Sequence, residues 1–318
     1  MLFQGMPNQF VARPFFRPPT EELRFLPEGP RVLQHGTGKL AWVAIQHGAD
    51  AQTGSLNVLD METGQNVSHP LPGRPGFFAE TTDPGLLLVG LERRLVWFDL
   101  RTGECTGEAI EVPADARCII NDGQPVPGGV IFGTKHLEFN LPIAEVYFFE
   151  AATKTVRPLF GGQMCSNGKF LQGDVLVDID SVPKTVTRYV IDGEFRVVSQ
   201  SPVIAPELLP GFPDGLRPTP DGTSVVIAFY NPEPVADGRA LEIRLSDGAI
   251  LTEWIVPGSP RVTCPEFIEM DGAVKLLLTT AVEGMPETTR QFAPGAGNIY
   301  IADTPYRKLP AVPPLVAV

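Results

Sequence analysis

Short apolar runs, each bounded by turn-forming residues, follow one another along the whole chain. Asp83-Pro84-Gly85 leads directly into Leu86-Leu87-Leu88-Val89, and runs of this length between such signals predict β-strands. Long stretches with helical periodicity are absent, so an all-β chain is expected. One pattern recurs: an alternating or continuous apolar strand, closed by an acidic residue and a turn. It ends at Asp60, Asp99, Glu150, Asp192, Asp247 and Asp303. Six copies spaced 39 to 56 residues apart bracket a propeller blade, which takes roughly 40 to 50 residues.

A second repeat runs out of phase with the first. Glu28 lies in Pro27-Glu28-Gly29-Pro30, Asn121 in Asn121-Asp122-Gly123, Asn167 in Ser166-Asn167-Gly168 and Asp214 in Pro213-Asp214-Gly215. The steps are 93, 46 and 47 residues, two blade lengths and then one each. Interpolation puts the remaining members at Pro75-Gly76 and Thr263-Cys264. The expected architecture is a six-bladed β-propeller, in which equivalent inner-strand positions face one axis. The plainer reading of the same residues is a set of tight hairpin turns, for which Asn-Gly and Asp-Gly are the commonest sequences.

Composition narrows the partners. The formal charge is −12, from 37 acidic and 25 basic residues, and no Lys/Arg cluster occurs. Neither nucleic acid nor an anionic membrane is therefore expected to bind. Four cysteines without CxxC spacing argue against a zinc ribbon and read as reduced and mostly buried. No run of about 18 apolar residues and no signal-peptide pattern is present, so a cytoplasmic protein is expected. Leu2-Phe3-Gln4-Gly5 resembles the remnant of a viral-protease cleavage site. Residues 1–5 are accordingly set apart from one propeller domain over residues 6–318.

Two carboxylates and two amides around one point define the candidate chemistry. The carboxylates would resist ionising together unless a cation sat between them. Oxygen donors suit a hard divalent ion, Ca²⁺, Mg²⁺ or Mn²⁺, and accept Zn²⁺ or Fe²⁺ with less selectivity. His35, His47, His69 and His136 have no metal-ligand spacing and are expected mostly in loops.

The motifs together resemble the family of senescence marker protein, gluconolactonase and luciferin-regenerating enzyme over residues 25–303. The resemblance rests on Glu28-Gly29-Pro30, Asn121-Asp122-Gly123 with Gly133-Thr134, and Ser166-Asn167-Gly168 with Asp180-Ser181. It continues in Pro213-Asp214-Gly215-Leu216 with Tyr230-Asn231 and in Gly297-Asn298-Ile299-Tyr300. It implies one divalent metal ion held by Glu28, Asn167 and Asp214, with Asn121 and Glu138 contacting a small-molecule substrate. Ile119 stands where the family often has Arg, which leaves Arg117, two places earlier, as the candidate substrate contact. Ala44 replaces the family's Asp after Trp42-Val43. In the implied reaction the metal polarises the carbonyl of a lactone, most simply a sugar lactone, and Asp214 accepts a proton from the attacking water. Two other readings stay open: hydrolysis of a phosphotriester or another activated ester, and a non-catalytic binding propeller stabilised by its metal. Loops 135–143 and 231–239 are expected to set specificity.

Overall fold

The computed structural model describes residues 7–47 and 52–318, so the segment set apart at residues 1–5 lies outside the described residues. Among the described residues the strands assemble into six sheets, antiparallel but for one added parallel strand. Blade 1 opens with the inner strand Leu26–Val32, blade 2 with Pro75–Glu80 and blade 3 with Cys118–Val126. Blades 4, 5 and 6 open with Ser166–Gln172, Phe212–Pro218 and Val262–Met270. Each inner strand touches the next, and that of blade 6 touches that of blade 1, so the ring is closed. The class is all-β with six blades, as the strand repeat implies; the helical pieces are Glu21–Phe25, Pro206–Leu208 and Glu287–Arg290.

Closure is made by the N-terminal segment. Arg13–Phe16 forms the outer strand of blade 6 against Ile299–Asp303, and Asn8–Val11 adds a parallel strand to Ile250–Val256 of blade 5. Joining the chain's beginning to its last blade removes the sheet edges an open ring would present.

Each blade is buried on both faces, and this explains the continuous apolar runs. Ala41, Val43 and Ile45 pack toward Phe78, Val89 and Phe98 of blade 2. Leu40 and Trp42 of the same strand point the other way, to Ile268, Leu277 and Ile301 of blade 6. Comparable apolar clusters fill the interfaces between blades 2 and 3, 3 and 4, 4 and 5, and 5 and 6. A strand sandwiched between neighbours has no solvent face, so period-two alternation sorts its side chains between two interfaces rather than between core and water.

The acidic residue closing each copy of the first repeat also has a local cause. It lies at or just past the end of the third strand of its blade, where Asp60 Oδ1 accepts from the amides of Glu62 (3.1 Å) and Thr63 (2.9 Å). Asp99 accepts likewise from Arg101 N (2.8 Å) and Asp247 from Ala249 N (3.1 Å). The glycines that follow, Gly64, Gly103 and Gly248, adopt φ of 73°, 75° and 69°, a region that favours glycine. At Asp60, Asp99, Asp192 and Asp247 the repeat is thus an Asx turn that reverses an outer hairpin, whereas Glu150 accepts from the Thr153 hydroxyl and Asp303 from Lys275.

Candidate functional site

The second repeat lies in the inner strands, all near the same channel end. Its members do not form hairpin turns. In every blade the pairing with the second strand breaks at this position, between Glu28 and Arg31, Pro75 and Phe77, Ile120 and Gly123, Ser166 and Lys169, Pro213 and Leu216, and Val262 and Pro265. Such bulges bend a strand and re-aim its side chains, here at the mouth of a closed ring. The glycines after Asn167 and Asp214 are required by the next blade. A Cβ on Gly168 would stand 2.5 Å from Leu216 N and 2.7 Å from Asp214 O, closer than any side chain tolerates.

The bulges bring Glu28, Asn121, Asn167 and Asp214 to one channel mouth, all but Glu28 buried. Asn121 Nδ2 donates to Ser166 O (2.9 Å), and Asn167 Nδ2 donates to Ser181 Oγ (3.1 Å), whose hydroxyl donates to Pro213 O (2.7 Å). Each amide is thereby held by its nitrogen to a neighbouring strand or blade. Glu28 Oε2 accepts from the Cys264 thiol at 2.9 Å, and Asp214 Oδ1 is buried with no hydrogen-bond partner.

Electrostatics couple these groups. Burial pushes the Glu28 carboxyl up to about 8; Asp122 and Glu283 raise it further, while the Cys264 hydrogen bond and Lys135 oppose the rise. Asp214 lies well above the usual carboxylate range, first through burial and then through Glu28, Asp122 and Glu283, again opposed by Lys135. Arg261 stabilises the charge of Glu283. Fully ionised, the four carboxylates Glu28, Asp122, Asp214 and Glu283 against the two cations Lys135 and Arg261 leave a formal charge of −2. A divalent cation would cancel that charge, and the orphaned Asp214 oxygen would gain a partner whose absence otherwise costs about 1–3 kcal/mol. Among the described residues no three His, Cys, Asp or Glu side chains converge closely enough to hold a metal. Coordination would therefore depend on two carboxylates and the Asn167 amide oxygen, a hard-ion donor set that the residues present fit.

Glu138 and Arg117 sit apart from this buried group. Glu138 is exposed just beyond the strand Gly129–His136 and accepts from Asn140 Nδ2 at 3.2 Å. Arg117 is exposed and locked onto Asp115 through Nε (2.9 Å) and Nη2 (3.0 Å). Leu137 N donates to Arg117 O at 3.0 Å, which sets Arg117 and Glu138 close together beside the start of the inner strand that carries Asn121.

The sequence reading missed Lys135. Its side chain is buried, 6 % exposed, and Nζ lies 3.1 Å from His47 Nε2. Burial, then Lys135 and Arg74, pull the His47 imidazole down to about 2, so its neutral ring accepts from the ammonium. Lys135 pairs with Ile119 across blade 3, and a charged residue directly after Gly133-Thr134 in a strand otherwise buried was the available signal. The histidines also correct the expectation of loop positions. His47, His69 and His136 lie in strands, and His35 lies in a loop. Three cysteines are buried and free as expected, whereas Cys105 is exposed.

A closed ring of six blades with a polar, charge-coupled mouth defines a six-bladed β-propeller. Residues 26–282 match the model of the SMP-30/gluconolactonase/LRE-like region, and the chain belongs to that family. It is 27 % identical to the L-arabinolactonase of Azospirillum brasilense over 242 residues, 74 % of this chain and 76 % of that protein. Two solved structures share the fold. The calcium-binding protein regucalcin from Agrobacterium tumefaciens has a TM-score of 0.80 at 20 % identity, covering 98 % of this chain and 100 % of its own. A luciferin-regenerating enzyme has a TM-score of 0.75 at 22 % identity, covering 91 % and 95 %. Among the described residues no helix is long and apolar enough to cross a membrane.

Proposed function

We propose that the chain is a metal-dependent lactonase that opens a small lactone, a sugar lactone foremost, at the mouth formed by Glu28, Asn121, Asn167 and Asp214. The observation that carries this reading is the coupled carboxylate pair Glu28 and Asp214. Both groups are raised together, with one Asp214 oxygen unpartnered, in a chain 27 % identical to an L-arabinolactonase. Glu28, Asn167 and Asp214 would hold the ion. Ca²⁺ is favoured by the donor chemistry and by the calcium-binding neighbour, with Mg²⁺, Mn²⁺, Zn²⁺ and Fe²⁺ as alternatives. When bound, the ion supplies Lewis acidity at the lactone carbonyl.

The chain's own residues supply the rest. Asp214 accepts a proton from water as the water oxygen bonds to the carbonyl carbon. The ring C–O bond then breaks, and the proton passes to the departing ring oxygen, leaving a hydroxy acid. Asn121 orients the substrate from the wall, and Glu138 and Arg117 meet its hydroxyls from the rim. Lys135, a fixed positive charge in a water-poor mouth, favours the oxyanion that develops on the carbonyl oxygen.

The test is acid release from a panel of sugar lactones, with protein stripped of metal and reloaded with each ion. Turnover restored by an ion and lost in Asp214→Asn supports the reading. Turnover of a phosphotriester alone would move the activity to that substrate class, and no turnover with any ion would leave a binding propeller.

A further inference from the structure

The first residue pair beyond the bulge differs between blades. It is Phe77 with Gly90 in blade 2, Gly123 with Phe132 in blade 3, Leu216 with Ile227 in blade 5 and Pro265 with Leu278 in blade 6, while blade 1 sets Arg31 against Ala41. Blade 4 pairs Lys169 with Asp178. Their side chains are 0 % and 1 % exposed, and Nζ lies 3.3 Å from Asp178 Oδ1. Taking two charges out of water is costly, and a well-packed apolar pair of similar volume is often at least as stable. Leu216 and Ile227 are fully buried at the same place one blade further on, so packing does not call for the ions. The reaction proposed above uses neither Lys169 nor Asp178.

The lysine reaches the two bulges that carry the amides of the site. A bulge leaves backbone groups without strand partners, and buried carbonyls need donors. Lys169 Nζ donates to Asn167 O in its own bulge and to Asp122 O (3.4 Å) in that of blade 3. Asp178 holds the other side: Oδ1 accepts from Ser166 Oγ (3.1 Å) and Oδ2 from Gln163 Nε2. Ser166 O in turn accepts from Asn121 Nδ2 (2.9 Å). Blade 3 leaves room for this arrangement, because a Cβ on Gly133 would strike Ser166 Oγ and stand 3.2 Å from Lys169 Nζ.

We propose that Lys169 is a positioning residue: its buried pair with Asp178 clamps the bulges of blades 3 and 4 together and so fixes Asn121 for substrate and Asn167 for metal. The inference rests on the roles proposed above for those two amides. The clamp acts by geometry and not by charge. A functional group has to be held within about 0.5 Å of its productive place, which an untied bulge does not ensure. The lysine whose charge acts on Glu28 and Asp214 is Lys135. Loss of the Lys169 charge alone would tighten calcium binding by removing a repulsion, whereas loss of the clamp weakens it.

The test moves the blade 5 pair into blade 4, as Lys169→Leu with Asp178→Ile in the full chain, beside the milder Ser166→Ala. Each is followed by thermal unfolding in chelator, calorimetric calcium titration and hydrogen exchange in chelator. The swap should unfold close to wild type, because the buried ions leave together. It should bind calcium at least about tenfold more weakly. The strands Cys118–Val126 and Ser166–Gln172 should exchange faster, with Val262–Met270 of blade 6 unchanged. Ser166→Ala, which keeps the pair, should speed exchange in the same two strands to a smaller extent, and it decides the matter if the swap does not fold. The proposal is overturned if a swap that unfolds like wild type binds calcium equally well or more tightly, or if Ser166→Ala leaves exchange in both strands unchanged. Should wild type bind no divalent ion, the metal reading fails by itself. Faster exchange in the two strands of the swap would then still support the clamp, and unchanged exchange would overturn it.

Discussion

Replacing Glu28 by Gln should move stability and metal affinity in opposite directions, because the residue is costly to the empty fold and useful to the loaded one. In the metal-free chain its carboxyl is raised from 4.5 to about 8 by burial and neighbouring negative charge. A carboxyl raised on folding binds its proton more tightly in the native state. Its contribution is therefore intact below about pH 4.5 and declines as pH rises toward 8. At pH 7 the accumulated penalty is about 3 kcal/mol, from roughly 2.5 pH units at 1.36 kcal/mol each. Gln has no such proton to take up and nearly the same shape. In chelator at pH 7, Glu28→Gln should gain up to about 3 kcal/mol, which for a chain of this size is roughly 4 to 5 °C in Tm. The gain should vanish near pH 4.5, where the native Glu28 is already neutral at no cost. Removing one formal charge from a divalent-ion site should meanwhile weaken calcium binding on the order of 100-fold. Thermal unfolding in chelator from pH 4.5 to 8, with calorimetric calcium titration, reads both effects. A variant less stable than wild type at pH 7 in chelator, yet with unchanged calcium affinity, would refute the account of Glu28 as a strained, metal-facing carboxylate.

Four further outcomes are expected. Asp214→Asn at saturating metal should lower kcat by well over threefold, since a smaller change is under roughly 1 kcal/mol and would remove Asp214 as proton acceptor. Glu138→Gln, altered at an exposed rim position, should raise KM with kcat nearly constant, and a matching fall in kcat would place it in the transition state. Lys135→Met should tighten calcium binding several-fold, because it removes a like charge that acts on both Glu28 and Asp214, while slowing lactone turnover; weaker calcium binding would show that Lys135 organises the site instead. Gly168→Ala drives a Cβ to 2.5 Å from Leu216 N and should cost about 1–3 kcal/mol in urea unfolding; a neutral result would mean the blade 4 to blade 5 contact relaxes freely.

Much of this architecture was written locally. The Asx turns at Asp60, Asp99, Asp192 and Asp247 depend on residues a few positions apart, so they recur visibly in four of the six blades. The positions of Glu28, Asn121, Asn167 and Asp214 were legible for a related reason. A closed ring makes residues at equal blade offsets neighbours in space, so a sequence period becomes a ring around an axis. What the period hides is the bulge. Asn-Gly and Asp-Gly fit a hairpin equally well, and only the close approach of the next inner strand, as at Gly168 against Asp214 O, requires the bulged form.

Other features needed the tertiary structure, because they depend on where strand ends meet after the ring closes. Lys135 and His47 are 88 residues apart and belong to different blades, yet their nitrogens meet at 3.1 Å. Glu28 and Cys264 are 236 residues apart and meet because blade 6 packs against blade 1. Arg31, Arg217 and Glu266 carry no common motif and come together at the opposite end of the same strands. Strand and turn propensities act over a few residues and are repeated in the sequence. Electrostatic fields in the channel sum over all six blades, and no local pattern encodes that sum.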